Sequence, residues 1–346
     1  MTETVEEAVE EKPRRRRITS LEILCVVLVL AIVGQGWLAD LLDVKAGEDG
    51  ADVVKAIQTG ATIFVAVCVQ ALPFLVVGVL ISGAIAAFVS ADRLRKLLPK
   101  RAALAVPVAG VAGIALPNCE CAAVPVARRL IQQEVPPAVA VTFLLAAPAV
   151  NPIVLVATAV AFPGEPRMVL ARFLGSLATA LVMGWIWARF GRMEWFADRA
   201  LRRLPEHHDG RSRWGVFFET ARQDLVDAGG FLVIGGLTAA VLNVIVPRSW
   251  TDALGEQVLL GVFVMAVLAV VLALCSEADA FVVASLSTMP LLPKLVFLVV
   301  GPAIDIKLFA LQVGTLGRRF AVRFAPMTFA VATLCAVVVG IVVLPL

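Results

Sequence analysis

Long apolar runs alternate with short charged stretches along the whole chain. Several runs are near or above the roughly 17–25 residues that a transmembrane helix needs. They cover residues 21–37, 63–89, 169–187, 217–246, 258–274 and 324–344. Two further apolar stretches, 102–130 and 136–162, contain helix-breaking residues. The pattern predicts an all-α polytopic membrane protein, because helices satisfy their own backbone hydrogen bonds inside a bilayer.

The composition agrees with this class of protein. The chain has 346 residues and is 60% hydrophobic, compared with roughly 45–50% for soluble domains. Its formal net charge is +3. Because the charges lie mainly between the apolar runs, they report on membrane orientation and give no reason to expect a nucleic-acid partner.

Charged loops predict the orientation of the chain, since cytoplasmic loops carry an excess of Lys and Arg. Residues 14–17, all arginine, precede the first run. We therefore expect a cytoplasmic tail at 1–20 and an additional transmembrane helix at 21–38. The acidic loop 39–56 is then outside, as is the C-terminus. Basic loops that we expect in the cytoplasm cover residues 93–101 and 189–214.

Three apolar stretches lie between those two cytoplasmic loops, and three full crossings cannot begin and end on one side. One of the first two must therefore enter and return as a re-entrant hairpin. Both contain a suitable break, at Pro117-Asn118 and at residues 148–152. The sequence does not decide between them.

Three blocks of sequence occur twice, in the same order. Residues 73–78 (PFLVVG) resemble 230–235 (GFLVIG), and residues 143–151 (FLLAAPAVN) resemble 297–305 (FLVVGPAID). The third block is an Ala-Leu pair before each polar break. We interpret this as two homologous repeats with opposite orientation, because the loops around equivalent helices carry opposite charge. Inverted repeats with broken helices are a recurrent transporter plan. The repeats cover 57–190 and 214–346, and the cytoplasmic loop 191–213 joins them.

Each repeat contains a polar break inside an apolar stretch, at residues 116–121 (LPNCEC) and 274–279 (LCSEAD). Thiols, carboxylates and helix-breaking residues at hydrocarbon depth are tolerated only where they face protein or a water-filled cavity. We therefore expect the two breaks to meet and to form a transport site.

The cysteines of the breaks predict a site for a soft ion or solute. Cys119 and Cys121 are two residues apart, so in an extended segment their side chains point the same way. Thiolates prefer copper(I), zinc and other thiophilic species, including trivalent arsenic. The candidate metal ligands are Cys119, Cys121 and Cys275. In the alternative interpretation these cysteines only pack a tight hairpin tip, as Cys25, Cys68 and Cys335 pack apolar helices.

Acidic residues at depth are candidates for proton coupling, because a buried carboxylate must be protonated, paired or hydrated. Lys307 is a natural partner of Asp305, and Asn151 holds the equivalent position in the first repeat. Asp305 and Lys307 can instead form a purely structural pair, and Asn118 and Ser276 can serve as helix caps. The candidate substrate-binding residues are Asn118, Cys119, Glu120, Cys121, Asn151, Cys275, Ser276 and Glu277; the candidate proton-coupling residues are Asp279, Asp305 and Lys307.

The residues of these breaks resemble those of the ArsP-like and YraQ-like permeases. The resemblance extends over residues 53–344 and rests on 116–121, 124–130 (VPVARRL), 143–152, 275–281 (CSEADAF) and 301–307 (GPAIDIK). It implies a multipass protein of the bacterial inner membrane that works without ATP hydrolysis. Members with an assigned role are similar to efflux permeases for trivalent organoarsenicals or, in relatives, copper or zinc. Ala122 stands where the family often has glycine.

These observations predict a secondary permease that exports a soft, thiophilic solute by alternating access, coupled to protons. One alternative is a permease for an unrelated organic solute with structural cysteines. Another is an intramembrane enzyme acting on a lipid-linked substrate, but neither histidine lies in a break to support catalysis. We expect no cofactor. The expected partners are the solute, membrane lipid and either a second copy of the chain or an accessory protein.

Overall fold

The protein is helical throughout the part of the chain that the structure describes. The computed structural model describes residues 48–89, 99, 102–114, 119–201, 212–245, 258–286 and 289–344. Within these ranges every regular element is a helix. The helices long and apolar enough to cross a membrane are Ile57–Phe88, Pro137–Ala161, Pro166–Phe190, Arg213–Val241, Leu291–Thr315 and Arg318–Val343. The predicted all-α polytopic fold is therefore confirmed. The predicted tail 1–20 and additional helix 21–38 lie outside the described residues.

The order of helices repeats in the two parts of the chain. The first part contains α1 (Glu48–Phe88), α2 (Ala102–Ile114), α3 (Glu120–Gln132), α4 (Pro137–Ala149), α5 (Pro152–Ala161) and α6 (Pro166–Phe190). A 3₁₀ turn (Met193–Trp195) and the short α7 (Asp198–Leu201) follow. The second part contains α8 (Arg213–Ile245), α9 (Val258–Leu272), α10 (Asp279–Ala284), α11 (Leu291–Ala303), α12 (Ile306–Thr315) and α13 (Arg318–Val343). Helices α4 and α11 each have 13 residues, and α5 and α12 each have 10.

Equivalent helices of the two parts pack against each other in antiparallel directions. The end of α1 meets the start of α8, where the rings of Phe88 and Trp214 are 5.5 Å apart. The end of α6 likewise meets the start of α13, where the rings of Trp187 and Phe320 are 5.1 Å apart. Inverted repeats produce this arrangement. The inversion across the membrane and the limits 57–190, 191–213 and 214–346 remain predictions.

Two spans in the centre of the molecule are broken near their middle. Between α4 and α5, the Asn151 side chain accepts a hydrogen bond from the amide of Val154 at 3.0 Å and so caps α5. Between α11 and α12, Asp305 caps α12 through the amide of Leu308. Pro148 and Pro302 lie near the ends of α4 and α11 and help to break each span there. Both broken spans are largely buried within the protein.

The helices α2 and α3 are short for a membrane crossing. Each helix has 13 residues, a length of about 20 Å, whereas the hydrocarbon core is about 30 Å thick. Leu130, near the end of α3, packs against a cluster of Ala105, Ala109, Val135 and Val139. These lengths favour α2 and α3 as the re-entrant stretch. Which stretch turns back stays a prediction, because residues 115–118 lie outside the described residues.

Glycines permit close contacts of α1 with α3 and of α8 with α12. A Cβ atom on Gly78 of α1 would lie 2.5 Å from the Cβ of Ala122 in α3. The equivalent Gly235 of α8 lies against α12, where a Cβ would lie 2.8 Å from the Cα of Lys307. Both contacts involve backbone, so neither neighbour can move aside cheaply.

We expect Gly78→Ala to lower the melting temperature of the detergent-solubilised protein. The added methyl group overpacks the α1–α3 contact, which costs about 1–3 kcal/mol and outweighs the gain of about 1 kcal/mol in helix propensity. Gly215→Ala is the matched control, because a Cβ there meets no atom within 4 Å. A melting temperature of Gly78→Ala at or above that of the control would contradict the close packing.

Candidate functional site

Each polar break contains a cysteine whose carbonyl receives two backbone hydrogen bonds. The carbonyl of Cys119 accepts hydrogen bonds from the amides of Ala122 and Ala123 at 3.2 and 3.1 Å, at the start of α3. The carbonyl of Cys275 accepts from the amides of Ala278 and Asp279 at 2.9 and 3.0 Å. Cys119 is the last residue before α3, whereas a turn at residues 276–278 separates Cys275 from α10.

The two breaks meet inside the protein. The Sγ atoms of Cys119 and Cys275 and a carboxylate oxygen of Glu120 all lie within 4.8 Å of one another. All three residues are buried. Two sulfurs and one carboxylate can bind one soft ion or one thiophilic centre, because thiols provide the soft ligands that such species prefer.

Cys121 lies beside this group but is not one of its three members. Cys119, Cys121 and Cys275 belong to the same buried cluster. However, α3 already begins at Glu120, and only Cys119 has extended backbone, with φ −89° and ψ 171°. The alternation expected for an extended Cys119-Glu120-Cys121 segment is therefore absent. The sulfur that shares the 4.8 Å group with Cys119 and Glu120 belongs to Cys275 of the second break.

Glu120 forms an ion pair with Lys307 of α12. The Lys307 Nζ atom is 2.7 Å from Oε1 of Glu120 and 3.7 Å from Oδ2 of Asp305. Ser276 donates a hydrogen bond to the other carboxylate oxygen of Glu120 at 3.3 Å. Glu120 and Asp305 are 0% exposed and Lys307 is 1% exposed, so these charges are held without bulk water. The predicted Asp305–Lys307 pair is present, but Glu120 is the closer partner of Lys307.

Backbone strain is located at the same place. Ala273, which follows α9, has φ 49°, a left-handed conformation that is unfavourable for a residue with a Cβ atom. Its carbonyl oxygen accepts a hydrogen bond from Lys307 Nζ at 3.4 Å. Such strain persists only where the surrounding structure holds it, and it is concentrated at functional sites.

Glu277 provides a carboxylate next to the second thiol. The Cys275 thiol donates to Oε2 of Glu277 at 2.8 Å. Glu277 is half-buried. The carboxylate is therefore placed to accept the proton of this thiol.

Arg172 of α6 holds the second break and was not singled out from the sequence. Its Nη2 atom donates to Oδ2 of Asp279 at 2.7 Å and to the carbonyl of Ser276 at 2.9 Å. Its Nη1 atom donates to Thr158 at 2.7 Å. Arg172 is 0% exposed. The available signal was an arginine inside the apolar run 169–187, which marks a functional or structural pair in a membrane protein.

The remaining predicted site residues have different positions. The Asn151 side chain forms hydrogen bonds to both sides of the break between α4 and α5. It accepts from the amide of Val154 in α5 at 3.0 Å and donates to the carbonyl of Ala147 in α4 at 3.1 Å. Asp279 lies at the start of α10, where Arg172 neutralises its charge. Asn118 lies outside the described residues.

Comparison with known proteins places these residues in a family of permeases. A family model described as "Predicted permease" matches residues 57–341. A Streptococcus mutans protein named "Putative two-component membrane permease complex subunit" is 31% identical over 284 residues, which cover 81% of this chain and 94% of that protein. A Bacillus subtilis protein named "UPF0718 protein YcgR" is 35% identical over 283 residues, covering 80% and 94%. No solved structure gives a significant match.

We expect Arg172→Ala to destabilise the protein by about 3–5 kcal/mol, because it leaves the buried Asp279 carboxylate without its counter-charge. Chemical denaturation in detergent measures this loss. Arg167→Ala in the same helix is the matched control: Arg167 is exposed, and such a change alters stability by about 0.5 kcal/mol or less.

The double variant Arg172→Leu, Asp279→Leu separates charge from packing. Removal of both charges should recover part of the lost stability, since apolar residues often replace a buried ion pair without loss. An Arg172→Ala protein as stable as the control would show that the Arg172–Asp279 pair does not hold the second break.

Proposed function

Because the chain belongs to the ArsP family of predicted permeases, which its residues 57–341 match, we propose that it exports a soft, thiophilic solute across the bacterial inner membrane. The substrate classes are trivalent organoarsenicals and soft metal ions. The observation that carries this proposal is the buried group of Cys119, Glu120 and Cys275, whose ligand atoms lie within 4.8 Å of one another. Each break contributes a thiol, so one solute can bridge the two halves.

Lys307 explains how the site remains stable when no solute is bound. Its ammonium group is the counter-charge of Glu120 at 2.7 Å. A cationic solute between the two thiols competes with Lys307 for the same carboxylate, because both need a negative partner in a medium of low dielectric constant. Solute binding and movement of the Lys307 side chain are then coupled.

Alternating access is the transport mechanism that this geometry supports best. The two breaks belong to parts of the chain whose equivalent helices pack in antiparallel directions. In such a plan the structure opens to either side by exchanging the roles of its two halves around a fixed site. The carboxylates of the half-buried Glu277 and the buried Asp305 are the proposed carriers of protons. This fits with Oδ2 of Asp305, which has no hydrogen-bond donor within the described structure.

We also propose that the chain works with a partner, either a second copy or an accessory subunit. The support is the name of the Streptococcus mutans relative, which describes that protein as a subunit of a two-component membrane permease complex.

Exchange of both site thiols should abolish export. The test compares the wild-type protein with the Cys119→Ser, Cys275→Ser variant in a metal- and arsenic-sensitive bacterial strain. Cells with the variant should tolerate an at least about tenfold lower concentration of the transported solute. Metal sites lose this much affinity even when only an outer-shell partner is removed. Growth is measured with trivalent organoarsenicals, arsenite, copper and zinc. The matched control is Cys68→Ser, Cys335→Ser, because these thiols lie in helices α1 and α13.

Wild-type tolerance to every solute in the site variant, at normal expression, would contradict a thiol mechanism. It would favour instead a permease for an organic solute in which the cysteines only pack the breaks. Loss of tolerance in both double variants would mean that any loss of thiols impairs the protein. That result would also count against a specific role of Cys119 and Cys275.

Asp305→Asn separates the capping role of Asp305 from a role in proton coupling. Asn caps helices as well as Asp does, whereas Ala loses about 1 kcal/mol, and Asn151 performs this role at the equivalent break. We expect Asp305→Asn to keep the wild-type melting temperature but to lose solute transport driven by a pH gradient in proteoliposomes. Asp305→Ala should also melt at a lower temperature. Wild-type transport by Asp305→Asn, with unchanged pH dependence, would leave Asp305 as a cap alone.

A further inference from the structure

A second buried group of charges lies at the far end of α3. Arg129 Nη2 is 2.8 Å from Oδ2 of Asp224 in α8, and its Nε atom donates to Ser82 of α1 at 3.2 Å. Ser82 also donates to Asp224, and Arg129 donates to Gln132 at 2.7 Å. Arg129 and Asp224 are each 4% exposed and Ser82 is 0% exposed. We call Ser82, Arg129, Gln132 and Asp224 the Arg129–Asp224 network.

The network connects α3 to two neighbouring helices. It joins the end of α3 to α1 and α8, and the neighbouring Arg128 adds contacts to Asp224 and Asp227 at 3.6 and 3.4 Å. Carboxylates of this chain therefore neutralise both Arg128 and Arg129.

Helix α3 links this network directly to the thiol site. Its first residue is Glu120, and Arg129 is nine residues later, a distance of about 13 Å along the helix. Between them, α3 packs on α1 at the close Gly78–Ala122 contact. Arg129 is itself part of α3, so this end of α3 cannot move away from α8 without separating Arg129 from Asp224.

The equivalent position on the α1–α8 pair, as the repeated segments align it, is apolar. Alignment of the repeated segments 73–78 and 230–235 places Ala239 at the position equivalent to Ser82, and Val67 at the position equivalent to Asp224. The contacts there are apolar and form a cluster of Phe64, Cys68 and Ala240 with partly buried neighbours. At these two equivalent positions of the helix pair, the described contacts are therefore charged in one case and apolar in the other.

From this asymmetry we propose that the Arg129–Asp224 network is a gate. It closes the thiol site toward the face where α1 ends and α8 begins, which the charged loops predict to be cytoplasmic. Opening toward this face separates the charges and admits water, which then solvates them, so the pair can break reversibly. The inference rests on the proposed alternating access, but it concerns a region outside the solute site.

The thiols of the site serve as reporters for this gate. In a background of Cys25→Ser, Cys68→Ser and Cys335→Ser, the remaining cysteines are Cys119, Cys121 and Cys275, which are at most 4% exposed. Their labelling by a membrane-impermeant maleimide is measured in inside-out and right-side-out vesicles. A separate cysteine-free variant carrying His207→Cys, in the loop 191–213, identifies the vesicles in which the gate face is accessible.

Asp224→Asn should increase labelling of the site thiols at least about tenfold from the gate face only, because even a third of the cost of breaking a buried ion pair corresponds to this factor. The matched control is Glu219→Gln in the same helix. Glu219 pairs with Arg222 at 2.8 Å, but both side chains are more than half exposed, at 57% and 60%, so loss of this pair should leave labelling unchanged.

Unchanged labelling in a well-inserted Asp224→Asn protein would overturn the gate, and so would an equal increase from both faces, which indicates general loosening. If Asp224→Asn does not accumulate, Ser82→Ala keeps both charges and should give a smaller increase from the gate face; no increase there would also overturn the proposal. The assay contains no solute, so failure of the gate and failure of the thiol export mechanism are independent results.

Discussion

The ion pair between Glu120 and Lys307 is the constraint on which the rest of the structure depends. The two residues are 187 positions apart and belong to different halves of the chain. Neither charge is exposed to solvent, so each needs the other to offset its loss of hydration. Because Glu120 begins α3 and Lys307 lies in the first turn of α12, their pairing brings the start of α3 against the break between α11 and α12.

The thiol site follows from the same contact. When α3 meets α12, Cys119 is carried to the turn that contains Cys275 and Ser276. The helix order of the two halves is equivalent, but the side chains at the breaks are not. Asn151 caps one break with a neutral amide, whereas Asp305 caps the other with a carboxylate. Arg172 ties the second break to α5 and α6. A nearly symmetric order of helices therefore holds an asymmetric set of charges.

Much of the fold follows from the sequence because bilayer physics constrains it strongly. Apolar run length identifies the spans, and the repeated segments identify the equivalence of α4–α5 with α11–α12. Cys119 and Cys275 could be recognised as counterparts because each stands in the polar break of its repeat. The partners of buried charges could not be predicted in the same way. Lys307 was assigned to Asp305, its neighbour in the chain, but Asp305 turns toward the amides of α12 while the long Lys307 side chain reaches Glu120.

The same reason explains why Arg172 and Asp224 were missed. Each pairs with a residue about one hundred positions away, and no local pattern encodes that distance. The prediction that Cys119 and Cys121 chelate one ion depended on a local backbone conformation that the sequence does not fix. Their spacing favours chelation only if the backbone is extended, and the helix that begins at Glu120 removes that condition.

The left-handed backbone of Ala273 makes the turn after α9 depend on Lys307. A left-handed residue of this kind costs about 1–3 kcal/mol relative to a relaxed one, and the Lys307 ammonium group helps to hold it through the Ala273 carbonyl. Under the proposed alternating access, departure of Lys307 from that carbonyl would remove this contact, and the strain would then favour relaxation of the turn. Part of the free energy for such a change is already present in the described backbone.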